Sequence, residues 1–163
     1  MKKNLICLFL IFCSLLSLCA CENLPNQPSN MPFDKLLDSP SVKETKDRYG
    51  KPEHEEINIF GNEILTYSFN WMAVDGELTI AYKPQNVENE KNGYALFQAR
   101  WTYTDSNLTE LRDNIIKELD GRYSRIDEST WEISSTDQIS VNISESNKNP
   151  QDETISVILS HDM

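Results

Sequence analysis

The sequence predicts an α+β fold, an antiparallel sheet of about six strands with two helices on one face. Three observations lead there. Apolar residues alternate with period two in three successive runs between residues 63 and 103, and again after residue 130. Two other stretches carry helix start and stop signals, a capping residue in front and a glycine behind. The strands alternate instead of running continuously apolar, the pattern of a sheet with one buried and one solvated face.

The elements follow in order. Phe33, Leu36 and Leu37 form a short apolar cluster of one or two helical turns, interrupted by Pro40. Ser41 and Glu44 have the spacing of a capping box, so a short helix should run to about Tyr49 and stop at Gly50, with Pro52 beyond. In "ILTYSFNWM", Leu65, Tyr67, Phe69 and Trp71 share a face, and Asp75-Gly76 is expected to turn the chain. Leu78, Ile80 and Tyr82 share a face of the next strand, and a polar loop occupies residues 84–93. In "YALFQARWTY", Ala95, Phe97, Ala99, Trp101 and Tyr103 are expected to point one way, with Tyr94, Leu96, Gln98, Arg100 and Thr102 pointing the other. A second helix is capped by Asn107 with Glu110 three residues on; it carries Leu108, Leu111, Ile115 and Leu119 and ends at Gly121. Three strands close the chain around Trp131 and Ile133, around Ile139, Val141 and Ile143, and around Ile155, Val157 and Leu159. The order suggests two αβββ units.

The N-terminus has a different character. Lys2 and Lys3 precede an almost wholly apolar stretch from Asn4 to Leu18, which has the pattern of a secretory signal and is short for a membrane span. It ends in Leu18-Cys19-Ala20-Cys21, which resembles the bacterial lipobox: a branched apolar residue, a tolerated one, a small one, then cysteine. The resemblance implies a diacylglycerol thioether on Cys21 and cleavage just before it. Cys19 fits badly, because Leu18 would occupy the small position. The expected organisation is a leader over 1–20, a lipidated cysteine and flexible tether over 21–32, and a single domain over 33–163. The tether is polar and rich in Pro and Asn, and about ten extended residues reach roughly 30 Å. Two or more acyl chains anchor stably, so the protein should sit on a membrane without crossing it. Glu22 stands where Asp would be the strong inner-membrane signal, which favours the outer membrane if the cell has two.

Composition narrows the functional classes. Of four cysteines, Cys7, Cys13 and Cys19 leave with the leader and Cys21 carries lipid, so the exported domain has no disulfide and relies on its core. Fifteen basic and 26 acidic residues give a net charge of −11; without Lys2 and Lys3 the 13 remaining basic residues leave −13. That charge argues against nucleic acid and anionic headgroups and leaves a basic protein partner open. Catalytic groupings are missing. No G-x-S-x-G or phosphate-binding glycine loop is present, His54 lies in an acidic stretch, "PEHEE", and His161 is near the end. No cofactor, no metal and no catalytic residue is expected. The sheet's second face should carry Thr66, Ser68, Asn70, Thr79, Gln98, Arg100, Ser140, Asn142 and Ser156, of which Thr66, Ser68, Asn70, Gln98, Arg100 and Asn142 are the candidate binding surface. Arg100, Arg122 and Arg125 are expected to pair with the many acids.

The stretch from Val42 to Tyr49, then Gly50-Lys51-Pro52 and the Tyr67 strand, is similar to the SmpA/OmlA lipoproteins of the outer-membrane β-barrel assembly machine. The resemblance covers residues 42–71 and implies a small envelope domain. It carries no functional residues over, since the second helix and second strand set depart from that family. The expected function is a non-enzymatic envelope lipoprotein whose domain binds another protein. The alternative is an immunity or inhibitor lipoprotein that sequesters a basic toxin or hydrolase.

Overall fold

A computed structural model describes residues 30–85, 93–146, 149 and 151–161. The expected leader, the expected lipidation site at Cys21 and most of the expected tether lie outside these residues. Two helices, α1 (Val42–Tyr49) and α2 (Thr109–Asp120), accompany one antiparallel sheet of eight strands: β1 (His54–Ile57), β2 (Glu63–Trp71), β3 (Val74–Gln85), β4 (Gly93–Asp105), β5 (Ser124–Arg125), β6 (Thr130–Glu132), β7 (Asp137–Glu145) and β8 (Glu153–His161). The strand order is β1-β2-β3-β4-β8-β7-β6-β5. Each half is thus a helix followed by a four-strand meander, and the halves meet where β8 pairs with β4. The α+β class matches the expectation. The two additional strands are the outermost ones, so each half is αββββ and not αβββ.

The inner face follows from the register. Leu65, Ile80, Ala99, Leu159, Ile139 and Trp131 lie side by side across six strands, and all are buried. Both helices lie on this face. Thr45 of α1 and Tyr82 of β3 share a buried hydroxyl–hydroxyl hydrogen bond. Trp131 of β6 donates from Nε1 to Asp120 of α2 at 2.8 Å, and Ile115 and Leu119 join the same core. The helix α1 has the capping box, with Ser41 and Glu44 bonded reciprocally, and Gly50 follows it at φ +85°. The start of α2 differs from expectation: Leu108 stands at the N-cap position without a side-chain bond, and Asn107 Oδ1 accepts from the Thr109 amide at 3.2 Å.

Residues 31–38 form successive tight turns with amide-to-carbonyl bonds three residues apart. Met31, Phe33 and Leu36 are buried in the core, and Tyr49 donates to the Pro32 carbonyl at 2.8 Å. Among the described residues, the core therefore includes Met31 as well as Phe33.

Two local expectations are corrected. Asp75-Gly76 is not the turn between β2 and β3. The chain reverses at Met72-Ala73, both at positive φ (54° and 62°), the backbone of a tight two-residue hairpin. Gly76 lies within β3 beneath the Trp101 indole, where a Cβ would come within 2.4 Å of Cε2. The glycine marks a close approach and not a bend. In β4 the alternation breaks. Ala81 faces Gln98, the next pair is Tyr82 and Leu96, and Phe97 is the extra residue of a bulge. Leu96 is consequently buried and Tyr94 packs against the core, while the Ala95–Phe97 parity read from sequence fails.

Burial has a chemical effect on the inner tyrosines. Desolvation pushes the Tyr67 and Tyr82 hydroxyls up to about 12 and also raises that of Tyr49. Tyr82 has Thr45 as a partner, whereas the buried Tyr67 hydroxyl has none among the described residues.

Candidate functional site

The candidate site is built by strand register alone. Thr66, Thr79, Arg100, Ile158 and Ser140 form one row across β2, β3, β4, β8 and β7. Ser68, Glu77, Thr102, Ser156 and Asn142 form the next. Gln98 lies between Ala81 and Ser160, and Asn70 lies opposite Asp75. The six candidate residues thus share one face, opposite the helices. Ser68 and Asn142 are four strands apart, roughly 19 Å at sheet spacing. No described element covers this face.

A hollow of about 530 Å³ follows the lower rows, lined by Ser68, Asp75, Glu77, Thr102, Thr104 and Thr154, with Glu53 beside it. Asn70 donates to Asp75 at 2.7 Å, and the Thr104 and Thr154 hydroxyls bond to each other at 2.8 Å. The hollow is acidic and hydroxyl-rich. Arg100 stands one row away and makes no ion pair among the described residues. The expected pairing holds for the other two arginines. Arg122 bridges Asp34 at 2.9 Å and Glu118 at 2.7 Å. Arg125 lies 3.5 Å from Asp120 and over the Trp131 ring.

One arrangement was not legible in the sequence. His161 at the end of β8 meets Asp137 at the start of β7, Nδ1 to Oδ1 at 2.6 Å, beside a cavity of about 520 Å³ that also touches Ser39, Ser41, Glu44, Tyr94 and Thr136. A carboxylate on Nδ1 fixes the imidazole tautomer, which is the orienting half of an acid–base pair. The other nitrogen, Nε2, is buried and has no hydrogen-bond partner among the described residues. Among the described residues no nucleophile is bonded to it. His54, read as part of an acidic loop, lies instead in the edge strand β1 and is exposed. Among the described residues no cluster of three His, Cys, Asp or Glu side chains could hold a metal ion, and no helix is long and apolar enough to cross a membrane.

No family model, no curated protein and no solved structure matches the chain.

Proposed function

We propose that the protein is a lipid-anchored, non-enzymatic component of a bacterial cell envelope, and that its domain binds another protein through the uncovered face of the sheet. The observation that carries this reading is the one-sided construction. Both helices and the 31–38 turns pack on the inner face, and the outer face is left as a broad polar surface with Thr66, Ser68, Asn70, Gln98, Arg100 and Asn142 on it. The leader and Leu18-Cys19-Ala20-Cys21 support an anchor at Cys21, with Glu22 favouring the outer membrane.

A photoreactive side chain introduced at Ser68 or Asn142 of the full lipoprotein in intact cells tests it. We expect a protein adduct at one or both positions, dependent on Cys21. Absence of any protein adduct at either position overturns the reading.

A second reading, an immunity or inhibitor lipoprotein for a basic toxin or hydrolase, is favoured by Glu53, Asp75 and Glu77 around the hollow. A partner bound through them should weaken about ten-fold or more between low and high salt, since screening shortens the reach of exposed charge. Affinity independent of salt contradicts it.

A further inference from the structure

The hairpin between β1 and β2 is built unlike the rest of the surface. Among the described residues five large apolar side chains are exposed, and three of them fall within four positions: Ile57 at 66 %, Ile59 at 93 % and Phe60 at 78 %. Ile126 and Ile143 are isolated elsewhere on the fold. Single exposed apolar residues are ordinary, but a contiguous group marks a surface that something covers.

The turn that carries them is fixed. Asn58 Oδ1 accepts from the amides of Phe60 at 2.9 Å and Asn62 at 3.1 Å. The Asn58 amide donates to the Asn62 carbonyl and the Gly61 amide to the Asn58 carbonyl, both at 2.9 Å. Gly61 sits at φ +79°, a backbone that other residues rarely adopt. The apolar tip is therefore held in shape before any contact, which lowers the ordering cost of docking.

Two observations identify what docks. The first is charge. Glu55, Glu56 and Glu63 flank the tip, Glu63 directly opposite Ile57. Lys46 bridges Glu55 at 2.6 Å and Glu63 at 3.5 Å, leaving Glu56 without an ion-pair partner among the described residues. An acidic collar opposes an anionic bilayer surface and complements a rim of Lys and Arg. The second is position. The first described residue, Asn30, donates to the Asn70 carbonyl near the end of β2, whereas the tip lies before Glu63 at its start. Those ends are roughly 24 Å apart along the strand. The tip thus stands at the far end from where the tether joins the domain.

We infer that Ile57, Ile59 and Phe60 form a preformed wedge that enters an apolar pocket rimmed by basic side chains on a partner protein. This rests on the protein-binding reading above and adds the point of attachment and the partner's chemistry. The partner's pocket matches the wedge in apolar character, and its basic rim is opposite in charge to Glu56 and the neighbouring Glu55 and Glu63.

The test places a benzophenone amino acid at position 60 of the full lipoprotein in intact cells, with the same probe at position 68 as the reference. We expect a protein adduct at position 60, mapped by mass spectrometry to an apolar segment with Lys or Arg beside it. Glu56→Lys should lower its yield about five-fold with an unchanged thermal midpoint. A lipid adduct, an adduct to a second copy of the chain, or a yield indifferent to charge reversal overturns the inference. A protein captured at 68 but not at 60 removes the wedge and keeps the protein-binding reading. Nothing captured at 60, 68 or 142 removes both, and capture at 142 alone removes only the wedge.

Discussion

The two halves of the molecule share a connectivity and fill their cores differently. In the second half α2 is twelve residues long and buries Ile115 and Leu119 directly against the sheet. In the first half α1 has eight residues, and Thr45 is its one buried residue. The apolar cover there comes instead from Met31, Phe33 and Leu36 in the turns before the helix, and from an aromatic group of Tyr49, Tyr67, Phe69, Trp71 and Trp101. A short polar helix can roof a sheet when a neighbouring segment supplies the apolar surface. The first half accordingly takes three buried core side chains, Met31, Phe33 and Leu36, from outside its regular elements, and the second half takes one, Leu108.

That contrast can be broken directly. Phe33→Ala should cost about 3–5 kcal/mol, as much as removing a central aromatic, although Phe33 lies in no helix or strand. Ile115→Ala in α2 should cost about 2–4 kcal/mol. Denaturant midpoints of the two variants check this, and a Phe33→Ala loss under about 1 kcal/mol would remove the special role of residues 31–38.

Gly76→Ala should follow at about 3 kcal/mol, because the added Cβ meets the rigid Trp101 indole, which is itself fixed by Nε1 donating to the Phe69 carbonyl at 3.1 Å. Tryptophan fluorescence of Gly76→Ala in a Trp71→Phe, Trp131→Phe background should report the displacement of Trp101. Gly121→Ala in the second half should cost less than about 1 kcal/mol, since Gly121 lies at φ −75° and its Cβ would find ordinary distances.

The tyrosines sharpen the comparison further. Tyr82→Phe strands the buried Thr45 hydroxyl and should cost about 1–2 kcal/mol. Tyr67→Phe removes a buried hydroxyl that has no partner and should be neutral or stabilising by up to about 1 kcal/mol. Equal losses in the two variants would contradict the hydrogen-bond assignment.

Both hydroxyls also predict an alkaline limit. The folded value of about 12 exceeds the ordinary 10.0, so the unfolded chain loses these protons first. Their contribution is complete below pH 10 and disappears as pH rises toward 12. Chemical denaturation between pH 9 and 12 should show stability falling over that window, with Tyr82→Phe reducing the slope.

The smallest expected effect lies at the surface. Arg48 and Asp38 form a two-point ion pair that holds the Asp38 carboxyl below its ordinary range, but Asp38 is largely exposed. Asp38→Asn should cost no more than about 1 kcal/mol.

The sequence made visible whatever depends on local pattern. The capping box at Ser41 and Glu44, the buried parity of β2, β3, β7 and β8, and the grouping of Thr66, Ser68, Arg100 and Asn142 on one face follow from alternation and spacing. What depends on three dimensions stayed hidden. Strand β1, "HEEI", is exposed at every position and has no alternation to read, and β5 is only two residues long. The β4 bulge moves one residue out of step, which period-two counting cannot anticipate. Gly76 read as a turn because its contact, Trp101, is 25 positions away in the chain. The Asp137–His161 pair arises from register between two strands and has no local signature.

The seam between β4 and β8 has a consequence for the order of assembly. Gln98 meets Ser160 and Asp105 meets Glu153, so the two meanders are joined by the last described strand. Until residues 153–161 arrive, β4 has an open edge in the middle of the future sheet, and the first half cannot complete its core. A chain threading out N-terminus first therefore stays incompletely closed until its C-terminal strand is delivered. Loss of that strand would yield two unjoined halves with sticky edges instead of a slightly smaller protein.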